Sequence, residues 1–430
     1  MIRIIKNFDS LAETDARRDA LSIVEAGYAA IDVEAAILRE VRTMGDMLCI
    51  GERTCSSSSA GRIFFIGIGK CAIAAARAVE TALGERLAGG IALDVSPLKE
   101  HGLQKIEAFI GTHPLPTQVN MDATKRIVEF LTGLTAQDVV IMLISGGGST
   151  LLCMHNEAMT CLDESILLSE LTRQGASIEK INTVRKHISE ARGGGLAKAA
   201  YPAEVIALIV SDVPGNNASF IASGPTVKDT TSVADAKRIL ADYGVSDERI
   251  IFHETPKEDK YFERVQNILF LTNKNALNGM AAEVSQRGYH ATIVNDRFFG
   301  EAAELGRAIA AKLHDAPPRS AFLYGGETAV TLGTNPKKGG RSQELALAAL
   351  DDLKDDELIA AFASDGRDNT EYAGAIADAA TARHAHEKNL VALGYLATHG
   401  TYDFFTGTGD FILTGYTGSN VSDLVVALKI

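Results

Sequence analysis

The sequence predicts an α/β protein of two domains: a Rossmann-like, mostly parallel sheet flanked by helices, then a smaller α/β domain. Three observations predict it. The chain has 430 residues, more than one ordinary core accommodates. Short apolar runs alternate with longer amphipathic stretches, the pattern of a parallel sheet covered on both faces. A charged stretch at 227–262 interrupts this series before it resumes, so the domains are drawn as 1–245 and 246–430.

Residues 10–45 read as helix, with Ser10 and Thr14 as candidate N-caps before a stretch rich in Ala, Leu, Glu and Arg. GERTCSSSSAG at 51–61 reads as a polar loop. Strands are expected at 62–69, 89–95, 107–112, 138–145 and 204–212, and helices at 72–86 and 121–134. The second series has strands at 267–272, 290–296, 320–327, 357–365 and 410–415. Residues 413–428 read as a Gly and Thr loop leading into a terminal helix.

Composition removes several function classes. Hydrophobic residues make up 46% and charged residues 23%, which are globular values. The formal net charge of -13 disfavours nucleic acid and anionic membranes as partners, and the absence of Trp argues against a base-stacking surface. No long apolar run predicts a membrane span, and the N-terminus turns polar too soon for a signal peptide. Cys49, Cys55, Cys71, Cys153 and Cys161 form no C-x-x-C pair. Neither a zinc site nor a disulfide framework is therefore expected, and a reducing compartment, the cytoplasm, fits best.

The chemistry is expected in polar Gly-rich loops at strand ends, where open α/β sheets bind ligands. Ser145-Gly146-Gly147-Gly148-Ser149-Thr150 follows an apolar strand and precedes an expected helix start near Thr150. Its backbone N–H groups can cradle a phosphate, although no Walker motif is present. A tight turn without ligand is the competing reading. Lys70 closes GIGK after another strand and can steer a phosphoryl group, or simply be a solvated lysine. Ala72 stands where a dinucleotide fingerprint needs its third Gly. Arg185, Lys186, His187 and Arg192 are placed in one helix ending at Gly193–Gly195, with Arg185 and Arg192 projecting together as anion-binding candidates.

Asp212 ends a buried strand and can hold Mg2+ or a substrate hydroxyl; Asn216 follows in the same loop. Glu327 follows a later strand, and Arg341 opens a helix after Gly339–Gly340, suited to charge on a transferring phosphoryl group. Asp365 and Asp368 are close enough in sequence to share a metal. With no Cys–His pair and no G-x-S-x-G, this inventory suits phosphoryl transfer, which needs positioning and electrostatics more than a nucleophile.

GTHPLPT (111–117), LISGGGSTLL (143–152), INTVRKHIS (181–189), SDVPGNNASFIASGPTVKD (211–229), GGETAVTL with GGRSQELALA (325–348), SDGRDNTEYAGA (364–375) and LTGYTGSNVSDL (413–424) resemble the glycerate 2-kinases of the MOFRL type. The resemblance runs from about residue 60 onward. It implies a MOFRL-like second domain, an active-site cleft between the domains, and ATP, Mg2+ and D-glycerate giving 2-phosphoglycerate. It also implies Lys70 and Arg341 as catalytic groups and Ser145 to Ser149 with Glu327 at the nucleotide. Arg185, Arg192, Asp212 and Asn216 are then substrate candidates, and Asp212 and Asp365 metal candidates. The chain departs from the family at Arg367–Tyr372 and at Tyr416, which bears on the acceptor. Two alternatives stand beside this reading: an NAD(P)H-dependent hydroxypyruvate reductase, a label related sequences have carried, and a non-catalytic sugar-phosphate sensor. Homo-oligomerisation is left open.

Overall fold

The structure is a computed structural model. It describes residues 3–51, 54–55, 61–95, 102–155, 159–213, 215–246, 248–333 and 335–430; most of the expected polar loop at 51–61 lies outside them. The chain divides into two compact units. A middle unit comprises 33–212 and 216–270, and a terminal unit 1–32, 213–215 and 271–430. The boundary expected at 245/246 therefore moves. The strand Val265–Leu271 completes the first sheet, and the N-terminal helix packs with the later half of the chain.

The middle unit holds a six-stranded sheet. Its strands are β1 (Ile63–Ile68), β2 (Leu87–Asp94), β3 (Ile106–Ile110), β4 (Val139–Ile144), β5 (Glu204–Val210) and β6 (Val265–Leu271), in the order β3-β2-β1-β4-β5-β6. The pairs β1–β2, β1–β4, β2–β3 and β4–β5 are parallel. Every residue of β1, β4 and β5 is buried, as expected of strands covered on both faces. The chain winds from β1 to one side and from β4 to the other, so the strand order reverses between them. That reversal leaves a crevice beyond the strand ends. Ile68 pairs with Ile144, which sets the loops Gly69–Lys70 and Ser145–Gly146 side by side.

The terminal unit holds a mixed six-stranded sheet. Its strands are β7 (His290–Phe298), β8 (Ser320–Gly326), β9 (Glu357–Ala363), β10 (Gly374–Asp378), β11 (Phe411–Ile412) and β12 (Asp423–Lys429), in the order β7-β8-β12-β9-β10-β11. Only β7–β8 is parallel. The terminal segment expected as helix is instead β12, buried throughout between β8 and β9. A short apolar run such as DLVVALK carries no period that separates a buried strand from a buried helix.

The N-terminal helix is Asp15–Ala30, capped by Thr14, whose hydroxyl accepts from Arg17 N. Ser10 is not a cap; it lies in a short turn of helix. Helix resumes at Val33–Glu40, and the last residues of the expected helix are a strand, Val41–Met44. Arg17 is fully buried. It donates from Nε and Nη2 to both oxygens of Asp378, at 2.7 and 2.6 Å, and from Nη1 to Asp410 at 2.7 Å. The N-terminal helix is thereby fastened to β10 and to the approach to β11.

Candidate active site

In the middle unit the candidate site is built where the strand order reverses. Gly69 has φ +114°, and a Cβ there would lie 2.2 Å from Ser145 Oγ. Only glycine fits, so the two loops touch. Lys70 N donates to the Gly146 carbonyl at 3.0 Å, and Cys71 N to Ser145 Oγ at 3.3 Å. Gly147, at φ +81°, turns the second loop; a Cβ there would be 3.3 Å from Lys70 Cγ and 3.7 Å from its Cε. The stem of Lys70 therefore lies across the glycine loop, which brings the ammonium to the same backbone that sequence reasoning assigned to phosphate. The helix after the loop is a single turn, Gly148–Leu151, so it begins two residues before the expected start at Thr150 and adds little dipole.

Cys71, directly behind Lys70, is buried and unreactive. Burial pushes its thiol up to about 12, and the charges of Asp94 and Asp212 add to that. Asp94 caps the following helix by accepting from Ile73 N at 2.9 Å. Asp212 is half-buried two residues past β5, and Asn216 is half-buried with φ 55°.

The basic segment differs from expectation. Its helix, Ile178–His187, stops before Arg192, so Arg185 and Arg192 are not on one helical face. Arg192 is 1% exposed and donates to Glu164 Oε1 at 2.6 Å and to the Ser149 carbonyl at 2.6 Å. It braces the glycine loop from behind, a positioning role. Burial raises the Glu164 carboxyl, but the Arg192 charge and His155 outweigh it and hold the group at about 2. Arg185 keeps a fifth of its side chain exposed. Burial, then the Arg192 charge, lowers its guanidinium to about 10. Of the two arginines it is the one whose side chain keeps surface open to solvent.

Sequence reasoning missed three members of this network. Ser149 Oγ lies 3.0 Å from Ser223 Oγ, which donates to Asn182 Oδ1 at 3.2 Å, and Glu164 anchors both arginines. Asn182 and Ser223 stand inside quoted motifs, which was the available signal; Glu164 reads as an ordinary helix acid. His187 is structural, its ring between the His253 carbonyl and Thr231.

In the terminal unit, β12 sets Asp423 opposite both Gly326 and Ala363. Glu327 and Asp365 lie just beyond those strand ends, so three carboxylates gather at one sheet end. Arg341 opens the helix Arg341–Leu350 and pairs with Glu327 and, at 3.2 Å, with Asp423. Burial pulls its guanidinium down, but Asp423 and Glu327 outweigh that and hold it above its ordinary range. Asp368 turns its carboxylate to the helix that Arg341 opens. Its oxygens accept from Ser342 N at 3.0 Å and Gln343 N at 2.8 Å, capping that helix. Gly340 permits this, because a Cβ would be 2.0 Å from the Asp368 carbonyl oxygen. Asp365 Oδ1 accepts from Arg367 N at 2.9 Å.

Asp423 is raised to about 8, first by burial and then by Asp368, Glu327 and Asp365, against the lowering by Arg341. A carboxyl raised on folding binds its proton more tightly in the native state. Its contribution to stability therefore falls as pH climbs from about 4 to about 8 and is flat above that. Asp423→Asn is expected to gain stability relative to wild type across that window, and urea unfolding at pH 5 and pH 8 checks it. A difference that does not change with pH would show that Asp423 stays ionised.

The expectation of no disulfide is corrected: Cys153 and Cys161 are joined, with Cα atoms 6.1 Å apart, and Cys49 is also disulfide-bonded. The pairing was illegible because no C-x-x-C spacing marks it; the fold returns the two cysteines to each other. Among the described residues no helix is long and apolar enough to cross a membrane.

Comparison with known proteins agrees with this architecture. Residues 19–251 match DUF4147, a domain of unknown function, and residues 320–423 match the MOFRL family. The chain is 34% identical to a glycerate 2-kinase from Pyrococcus horikoshii, over 96% of this chain and 97% of that protein. It is 36% identical to an Agrobacterium vitis protein provisionally named a hydroxypyruvate reductase, over 85% of this chain and 86% of the other. The crystal structure of a glycerate kinase from Thermotoga maritima superposes with a TM-score of 0.84 at 31% identity, covering 95% of this chain and 98% of that one. With its strand-end glycine loop, its mixed C-terminal sheet and these relatives, the chain belongs to the MOFRL-type glycerate 2-kinase family.

Proposed function

We propose that this protein is an ATP-dependent glycerate 2-kinase, converting D-glycerate to 2-phosphoglycerate. The observation that carries the reading is the stem of Lys70 lying across Gly147, in the glycine loop where the strand order reverses. The names of the relatives supply the acceptor. A loop that excludes Cβ atoms fits the close approach of a polyphosphate. Bound Mg2+ would neutralise charge on the phosphate oxygens; Asp212 and Asp365, at strand ends, are the proposed holders.

In the proposed mechanism the N–H groups of Ser145 to Ser149 hold the nucleotide's phosphates, and Arg192 keeps that loop in place. Arg185 receives the glycerate carboxylate, with Asn216 beside the acceptor. The C2 hydroxyl oxygen bonds to the γ-phosphorus in line, the bond to the ADP oxygen breaks, and the hydroxyl proton leaves. Lys70 and Arg341 stabilise charge on the transferring group, and Glu327 orients Arg341 through their ion pair.

The test is ADP release from purified protein with ATP, Mg2+ and D-glycerate, with phosphorus NMR of the product. A 2-phosphoglycerate signal is expected. Absence of turnover, with binding of 2-phosphoglycerate retained, would replace the kinase by the sensor reading. NADH oxidation with hydroxypyruvate would replace it by the reductase.

A further inference from the structure

Behind the glycine loop lies a group the proposed reaction does not use. Cys153, His155 and Cys161 bring their ligand atoms within 4.8 Å of one another, and all three side chains are buried. Glu164 joins them: its Oε2 is 2.7 Å from His155 Nε2 and 3.8 Å from Cys153 Sγ. His155 Nε2 is itself 3.4 Å from Cys153 Sγ. The ring is oriented from its other side, where Nδ1 lies 2.6 Å from the Ile188 carbonyl oxygen. A carbonyl only accepts, so Nδ1 donates there, and the ring is held with Nε2 facing Cys153 Sγ and the Glu164 carboxylate, which accepts from it. A histidine that donates one ring N–H to a carbonyl and turns the other nitrogen to a cysteine sulfur has the posture of a metal ligand. Tetrahedral ligands at zinc distances lie roughly 3.5 Å apart. Cys153 Sγ already stands at 3.4 Å from His155 Nε2 and 3.8 Å from Glu164 Oε2, whereas the bonded sulfurs must separate on reduction and the Nε2–Oε2 pair, at 2.7 Å, must widen.

We propose that Cys153, His155, Cys161 and Glu164 form a binding site for a borderline-soft divalent cation of the Zn2+ class, available when the Cys153–Cys161 disulfide is reduced. Two thiolates and an imidazole select such an ion over Mg2+ or Ca2+. The chemistry balances. A small dithiol reductant gives two electrons and two protons to the disulfide, yielding two thiols and an oxidised reductant. The cation then binds both sulfurs, Nε2 and a carboxylate oxygen, and the two thiol protons, together with the Nε2 hydrogen that Glu164 accepts, pass to solvent. In either state the segment after Thr150 is pinned to the helix Cys161–Arg173, whose Glu164 holds Arg192 against the Ser149 carbonyl. The site is a structural clamp on the glycine loop.

The test titrates the reduced, reductant-free full chain anaerobically with Co2+. Uptake of one equivalent with thiolate-to-cobalt charge-transfer absorption is expected, with Cys153 and Cys161 becoming protected from iodoacetamide. Cys153→Ser, Cys161→Ser and His155→Ala should each weaken Co2+ binding at least about tenfold. Alkylation protection in the wild-type chain decides the matter if a variant fails to fold. The proposal is overturned by no Co2+ uptake once thiol counting shows the pair reduced. A charge-transfer band that keeps its full intensity and affinity in both Cys153→Ser and Cys161→Ser overturns it too, as does a pair that cannot be reduced in the folded chain. None of these results depends on phosphoryl transfer, so they stand apart from the kinase reading.

Discussion

Replacing Arg341 by alanine is expected to lower kcat for phosphoryl transfer by about 10³–10⁵-fold, the range seen when an arginine that stabilises a transferring phosphoryl group is removed. Its guanidinium sits at the mouth of a helix whose first N–H groups are already satisfied by Asp368, so that helix start does not depend on it. The cost should therefore fall on catalysis. KM for glycerate should change little, because the acceptor carboxylate is assigned to Arg185. Arg341→Lys keeps the charge without the planar fork and should recover part of kcat. Lys70→Ala is expected to lose about 10²–10³-fold by the same electrostatic logic. Steady-state kinetics with coupled ADP detection checks all three, and near-wild-type kcat in Arg341→Ala and Lys70→Ala would remove both residues from the mechanism.

The second large effect is on stability. Arg17→Met should destabilise the terminal unit by about 3–5 kcal/mol, because it removes one partner from a buried ion cluster and leaves the others charged. Asp378 and Asp410 would lose a guanidinium that meets them at 2.6–2.7 Å, and Thr381 Oγ1 a donor at 2.9 Å. Burial raises the Asp378 carboxyl, but Arg17 outweighs that and holds it below its ordinary value. The cluster's contribution is present above the usual carboxylate range and is lost as acid titrates Asp378. Urea unfolding at neutral pH measures the loss. A change under 1 kcal/mol would mean that the cluster contributes little beyond its own desolvation.

The parallel strands of the middle unit were legible because burial on both faces writes a continuous apolar run into each. Lys70 and the Ser145–Ser149 loop were legible for a related reason: glycines packed against another backbone cannot be replaced, so they punctuate the sequence. What escaped is set by contacts between distant residues. β12 was read as helix because its pairing with β8 and β9 leaves no local mark. Arg192 was read as one face of a longer helix, whereas its partner is Glu164, on a separate helix. Asn182 and Ser223 matter through hydrogen bonds to each other and to Ser149, and neither residue type announces that in isolation. The disulfide between Cys153 and Cys161 needed the return of the chain to be seen.

The position of β12 at the centre of its sheet bears on biosynthesis. A ribosome makes residues 423–429 after every other strand of the terminal unit, yet β8 and β9 meet only through them. The middle unit needs nothing beyond the end of β6 at Leu271 and can fold while the rest is being made. The terminal unit begins with residues 1–32, must carry them unpaired through that interval, and closes only when its keystone strand emerges. Late closure of long-range pairing is slow and leaves strand edges open, so the nascent chain is most exposed to misassembly in its second half.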